Sequence, residues 1–336
     1  MKPLVRKTIQ ILAACGLLVL AMSATTPALA SGGGTWIARA PLPTRLEGSC
    51  TALIGNRIFS AYGFSPSSGD TNQLRIYDIS SNSWTIGPPA PLPVRSEAYR
   101  GVAHGGRLFC LGGRPVSGTD VVSFDPASGT WSTLAPMPDA RAGTTSAVLG
   151  DSIFVFGGRK GAAPCAGPAV APGATTTILR YDIAKNAWSN AGNLAVNRSD
   201  ATVARAGDRL FVFGGCDGIT SFDSVEEYDP HTQTSTVVAT IPGGVRSDAA
   251  AARAGDQIHV VGGFPIPGGS GFNHVIFDAR TDTFTVGLSM PTHCLPGVER
   301  AELEVVSHGD RLFAVAGSCP AFGASIDNLD ELRLHS

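Results

Sequence analysis

A chain of 336 residues with 41 glycines, 23 prolines and only 15% charged side chains is composed for many short strands joined by turns, not for helices. Its formal charge of −2 comes with no basic stripe, which removes nucleic acid from the expected partners. Length alone accommodates one large or two ordinary domains.

Residues 1–30 have the form of a secretory signal. Lys2, Arg6 and Lys7 make a basic start, Ile9 to Met22 is mostly apolar, and Ala28-Leu29-Ala30 is a small-residue cleavage pattern before Ser31. A membrane anchor needs roughly 20 apolar residues, and this run is shorter, so no integral membrane segment is expected after cleavage. Leu12-Ala13-Ala14-Cys15 has a lipobox form, but the apolar run continues beyond Cys15; plain export to the periplasm or medium is the preferred expectation. Cleavage changes 25 basic against 27 acidic residues to 22 against 27, a charge of −5.

From residue 31 onward one strand-like run returns six times. Its clearest copy is Arg209-Leu-Phe-Val-Phe-Gly-Gly215, and the second glycines fall at 63, 113, 158, 215, 263 and 317. Self-similarity at a spacing of roughly 50 residues signals a propeller or related array. Each copy is followed by an aromatic-Asp pair and, seven residues past the aromatic, a tryptophan slot: Tyr77 leads to Trp84, Phe124 to Trp131 and Tyr181 to Trp188, whereas Tyr228 leads to Ser235 and Phe277 to Phe284. Turn-forming runs such as Pro126–Gly129 separate the two and predict hairpins. Each copy opens with an arginine: Arg45, Arg95, Arg141, Arg198, Arg246 and Arg300. Six arginines at one repeated place are expected to bond loop carbonyls.

These landmarks resemble the Kelch family over almost the whole of 31–336. That resemblance implies one all-β, six-bladed propeller of four-stranded antiparallel blades, with strand a after the arginine, b ending in the glycines, c ending in the aromatic-Asp pair and d carrying the tryptophan. Gly34-Thr-Trp36 reads as a strand d without predecessors, and Leu332-Arg-Leu334 as a strand c without a successor. The N-terminal strand d is therefore expected to join the C-terminal blade and close the ring, leaving no exposed edge. Departures are Tyr62 and Ala316 in the first-glycine slot and the two missing tryptophans.

Six cysteines follow residue 30, and an exported chain permits disulfides. Cys165 and Cys216 follow the glycines of consecutive copies, while Cys294 and Cys319 flank the last copy; these are the two expected bridges. Cys50 and Cys110 sit in strands and are expected as small buried apolar residues.

The resemblance also implies that binding surfaces form from the b–c and d–a loops on one face. Two residues after each opening arginine stand Glu47, Glu97, Asp200, Asp248 and Glu302, with Gly143 as a gap. Blade symmetry makes these an incomplete acidic ring at the channel mouth, with Glu304 nearby. The ring suits a cation, an amine or a polyol, or a general acid whose pKa is raised by crowding. The alternative is that each acid pairs with a repeat arginine. Arg114, Arg159 and Lys160, just after glycine pairs, are candidate anion contacts, and the long loop from Arg159 to Thr176 lies on the same face. The scattered histidines match no metal or nucleophile template; His259 takes a slot held elsewhere by Phe, and His293-Cys294 is explained by a disulfide. The copper site of the oxidases that share this fold cannot be placed on these residues, so neither metal nor cofactor is expected. The preferred reading is a protein- or glycan-binding module. The alternative is a cofactor-free carbohydrate isomerase similar to periplasmic Kelch-type sialic acid mutarotases, with catalytic candidates Glu97, Asp200, Asp248 and Glu302.

Overall fold

The computed structural model describes residues 33–91, 101–113, 118–160, 173–244, 246–265, 273–294, 299–319 and 324–335. Six four-stranded antiparallel sheets are arranged as the blades of a propeller. In blade 1, strands a to d are Cys50–Ile54, Arg57–Ala61, Leu74–Asp78 and Ser83–Ile86. Blade 4 runs Thr202–Ala206, Arg209–Phe213, Ser224–Asp229 and Thr234–Thr240. The innermost strands a line a central cavity of ≈ 320 Å³ with residues such as Thr51, Ser146, Val203, Ala251 and Val305. Small and β-branched side chains suit this place, where six strands converge and bulk cannot be accommodated.

The ring closes as expected. Gly34–Ala38 pairs antiparallel with Leu329–Leu334, from Gly34 opposite Leu334 to Ala38 opposite Asp330, and so supplies strand d of blade 6. Closure pairs the inner edge of that fragment within a blade whose other three strands come from the far end of the chain, so the first blade is welded to the last.

The aromatic landmarks act in two directions. Within a blade, Tyr77 stands opposite Trp84, Phe124 opposite Trp131 and Tyr181 opposite Trp188, with ring centroids 5.1, 5.0 and 5.0 Å apart. Such pairs contribute roughly 0.5–1.5 kcal/mol beyond their area burial. Between blades, the indole N–H reaches back to the chain leaving the preceding blade: Trp84 to the carbonyl of Ala40, Trp131 to Pro88, Trp188 to Ala135 and Trp36 to Leu288. Blade 4 lacks the tryptophan. There Tyr228 donates its hydroxyl to the carbonyl of Ala191, and the buried Glu226 carboxylate accepts the N–H groups of Ala195 and Val196.

Four opening arginines are buried and bond the carbonyl of the first-glycine slot in their own blade. Arg141 Nη1 donates to Gly157 (3.1 Å), Arg198 Nη1 to Gly214 (2.6 Å), Arg246 Nη1 to Gly262 (2.9 Å) and Arg300 Nε to Ala316 (2.6 Å). Their charges meet Asp139, Glu226, Glu299 and Asp330 respectively. The expectation that the repeat arginines bond loop carbonyls is met in these four blades.

Blade 1 differs. The cross-strand pairing of Glu47 with Phe64 matches that of Ala142 with Arg159 and Ser199 with Cys216. The slot of Arg141 and Arg198 is therefore held by Leu46, and Arg45 stands one residue outside it. The vacant role passes to Arg75 of strand c, 1% exposed, whose Nη1 lies 3.4 Å from the carbonyl of Tyr62 in the first-glycine slot and whose Nε donates to Thr44.

The disulfide reading is corrected in one place. Cys294–Cys319 forms as expected, with an S–S distance of 2.02 Å, and Cys216 is disulfide-bonded, its expected partner Cys165 lying outside the described residues. Cys50 and Cys110, expected as unpaired apolar residues, are joined to each other at 1.98 Å. Strand a of blade 1 and strand b of blade 2 abut in one apolar cluster, which brings the two Cα atoms to 5.7 Å, within bridging range.

Arg198 and Glu226 carry the sharpest stability prediction. Both side chains are fully buried, and truncating one partner strands the other charge at a cost of about 3–5 kcal/mol. Arg198→Ala should lower the urea midpoint accordingly at unchanged m-value, whereas exposed Arg280→Ala should leave the midpoint within about 0.5 kcal/mol of the parent.

Candidate functional site

A belt of backbone hydrogen bonds runs round one mouth of the propeller. The N–H of Asp200 donates to the carbonyl of Gly143, that of Asp248 to Asp200, that of Glu302 to Asp248 and that of Gly48 to Glu302, at 2.8, 2.8, 3.0 and 3.2 Å. Each donor or acceptor is the residue at which a d–a loop turns into strand a. All five have positive φ, between 53° and 62°. This left-handed turn is easy for glycine and tolerable for aspartate, and it links blades 3, 4, 5, 6 and 1 in order.

Of the expected acids, the belt brings together Asp200, Asp248 and Glu302 at equivalent positions. Glu47 stands one residue before its blade's belt position, which Gly48 occupies. Glu97 and Arg114 lie outside the described residues. Glu304 is the first residue of strand a in blade 6, 6% exposed, and lines the central cavity.

The cations do not stand where symmetry alone suggests. Arg159 is 5% exposed and pairs with Asp200, itself 6% exposed. Gly143 is less a gap than a clearance for this pair: a Cβ there would lie 2.5 Å from both Arg159 Nη1 and Asp200 Oδ1. Lys160 is exposed and turns to Asp139, at 3.0 Å. Asp200 is thus neutralised by a b–c residue of the neighbouring blade, while its own repeat arginine, Arg198, meets Glu226.

The hydroxyl partners of the acids were not anticipated. Ser199 donates to Asp200 (2.9 Å), Ser318 to Glu302 (2.9 Å) and Ser325 to Glu47 (2.8 Å). Ser318 and Ser325 belong to a two-stranded hairpin of the b–c loop in blade 6, so contact with Glu47, 278 positions away, exists only once the ring is closed. Ser199 was readable in principle as the neighbour of Asp200; the other two were not.

Burial raises the Glu47 carboxyl, the Glu302 charge pushes the same way, and the Ser325 hydrogen bond opposes them, leaving its pKa at about 7. Among the described residues no group of three or more His, Cys, Asp or Glu is gathered to hold a metal ion, and no helix is long and apolar enough to cross a membrane. His259 is fully buried in its Phe slot, and its Nδ1 lies 2.9 Å from His274 Nε2; burial, reinforced by His274, lowers its pKa to about 3.

Comparison with known proteins places these features in a family. The family profile described as the KLHDC2/KLHL20/DRC7 Kelch-repeats domain matches residues 137–317, and the Kelch motif matches residues 99–138. Kelch-like protein 25 of Xenopus tropicalis is 29% identical over 198 residues, covering 58% of this chain and 31% of that protein. Kelch-like protein terF of Aspergillus terreus is 33% identical over 171 residues, covering 48% and 35%. The chain thus spans about a third of the length of these relatives. The solved structure titled "Structure of YjhT" superimposes with a TM-score of 0.72 at 16% identity, covering 87% of this chain and 95% of that one; at that identity the likeness concerns the fold.

Glu47 supplies a pH signature. A carboxyl whose folded pKa of about 7 exceeds its ordinary 4.5 favours the folded state most below pH 4.5, and that advantage is lost as pH rises through about 7. Glu47→Gln, which keeps an acceptor for Ser325 without the charge, should therefore gain thermal stability over the parent progressively between pH 5 and pH 8. A gap in Tm independent of pH would contradict the raised pKa.

Proposed function

The chain belongs to the Kelch-repeat family, and on that premise we propose that it is an exported binding module that takes a protein segment or glycan on the belted mouth of its propeller. Kelch propellers are in general protein-binding modules. The observation that carries the reading is the belt itself. It holds Asp200, Asp248 and Glu302 on successive blades by main-chain bonds, so the loops that meet a ligand are ordered before it arrives and little entropy is lost on binding. Asp248 and Glu302 are half-buried, Glu302 accepts the Ser318 hydroxyl, and the face they make suits amines, guanidinium groups and sugar hydroxyls.

A second reading, a cofactor-free carbohydrate isomerase, is favoured by one specific feature. A carboxyl titrating at about 7 is the group that can both donate and accept a proton at neutral pH, and Glu47 stands beside the charged Glu302.

The test compares the parent protein with Asp248→Asn/Glu302→Gln, changes that retain size and are compatible with the turn. A ligand captured from exported proteins or from a glycan array should bind the double variant about tenfold more weakly, with a reduced salt dependence and an unchanged far-ultraviolet circular dichroism spectrum. Equal affinity for parent and variant would place the ligand elsewhere on the molecule. Anomeric equilibration of sugars followed by proton NMR decides the second reading: acceleration by the parent that is lost in Glu47→Gln would make the protein an isomerase.

A further inference from the structure

Beside the belt, where blade 6 meets blade 1, lies a separate cavity of ≈ 350 Å³ lined by Arg45, His293, Ser325, Asp327 and the Cys294–Cys319 bridge. Its size falls within the range of small-molecule sites. Its polar groups are organised by a chain of charges that begins deep in the blade.

Arg300, fully buried, donates from Nη1 to Asp330 Oδ2 at 2.7 Å, and Asp330, 1% exposed, lies 2.9 and 3.0 Å from His293 Nε2 through its two oxygens. An ionised carboxylate only accepts hydrogen bonds, and the Arg300 guanidinium donates to this one. In the neutral form of the ring the proton therefore sits on Nε2, and Nδ1 keeps its lone pair. Nδ1 makes no hydrogen bond among the described residues. His293 also has φ of +56°, a turn that holds the ring between the buried acid and the opening, and the adjacent Cys294 is pinned by its disulfide to Cys319.

Arg45 supplies the opposite character. Standing one residue outside the arginine slot, it is exposed and has no ionic or hydrogen-bonded side-chain partner among the described residues. A guanidinium in this position matches a carboxylate bidentately. The Asp327 carboxylate on the same wall accepts no side-chain hydrogen bond among the described residues; it would repel a second negative charge on a ligand and accept a hydrogen bond from a hydroxyl.

We infer that this cavity is a binding site for a small hydroxylated monocarboxylate, its carboxylate on Arg45 and a hydroxyl donating to His293 Nδ1. Asp330 and Arg300 are positioning residues, fixing the tautomer and orientation of the imidazole. The site is distinct from the belted mouth and does not depend on what that mouth binds.

Three four-carbon probes separate the contributions: 3-hydroxybutyrate carries both groups, butyrate lacks the hydroxyl and butane-1,3-diol lacks the carboxylate. Each is titrated into the full-length protein on the order of tens of millimolar, the range appropriate to a ligand of about seven non-hydrogen atoms. Binding is followed by the nitrogen and proton NMR signals of the His293 ring, assigned with His293→Gln. The expected result is that 3-hydroxybutyrate shifts Nδ1 more than Nε2 and binds at least about tenfold tighter than either analogue. Arg45→Ala should weaken it about tenfold while the Nε2–H signal persists, since Arg45 is exposed and touches neither Asp330 nor Arg300. Equal binding of the three probes, absence of any His293 shift, or full affinity in Arg45→Ala would each overturn the assignment.

Discussion

The hydrogen bond on which the ring depends joins the second glycine of one blade to the arginine slot of the next. Gly158 N–H donates to the carbonyl of Arg198, Gly215 to Arg246, Gly263 to Arg300 and, across the closure, Gly317 to Leu46, at 2.9, 2.8, 2.9 and 2.8 Å. At Gly215, φ is +87° and an added Cβ would lie 2.6 Å from the Ser199 carbonyl, so neighbouring chains can approach this closely only without a side chain. The same slot residue bonds two blades at once, its carbonyl reaching the glycine N–H and its guanidinium the first-slot carbonyl. Polar backbone that would be orphaned between apolar wedges is thereby satisfied.

The seam between blades 6 and 1 shows what that constraint permits. Leu46 keeps the carbonyl that closes the ring but supplies no guanidinium, and Arg75 reaches the equivalent carbonyl from strand c instead. The requirement is for a buried cation at that carbonyl, not for an arginine at one chain position. The one-residue offset has chemical consequences on the surface. It frees Arg45 from the interior and puts Glu47, not Gly48, against Ser325, where desolvation raises its carboxyl to about 7.

The acids of this face consequently differ despite the symmetry of the blades. Asp200 is buried and pairs with Arg159, Glu302 is half-buried and takes the Ser318 hydroxyl, and Glu47 is pushed toward neutrality. A ring of equal acids would repel itself and bind indiscriminately. A ring graded in this way offers chemically distinct positions from blade to blade.

Much of the architecture was legible in the residues alone, because every blade must bury the same slots and so writes the same glycines, aromatics and arginines at each return. The closure was legible for the same reason: a lone strand d at one end and a missing one at the other are complementary. Even the slip in blade 1 left a trace, since Arg45 and Arg95 precede their second glycines by 18 positions while Arg141, Arg198, Arg246 and Arg300 precede theirs by 17. What the tertiary structure alone decided are the pairings between blades. The Cys50–Cys110 bridge, the Arg159–Asp200 pair and the Ser325–Glu47 contact join residues whose local surroundings do not distinguish them from unpaired ones. Repetition records what each blade needs for itself, whereas a contact made once, between side chains brought together by closing the ring, has no second copy in the sequence from which it can be read.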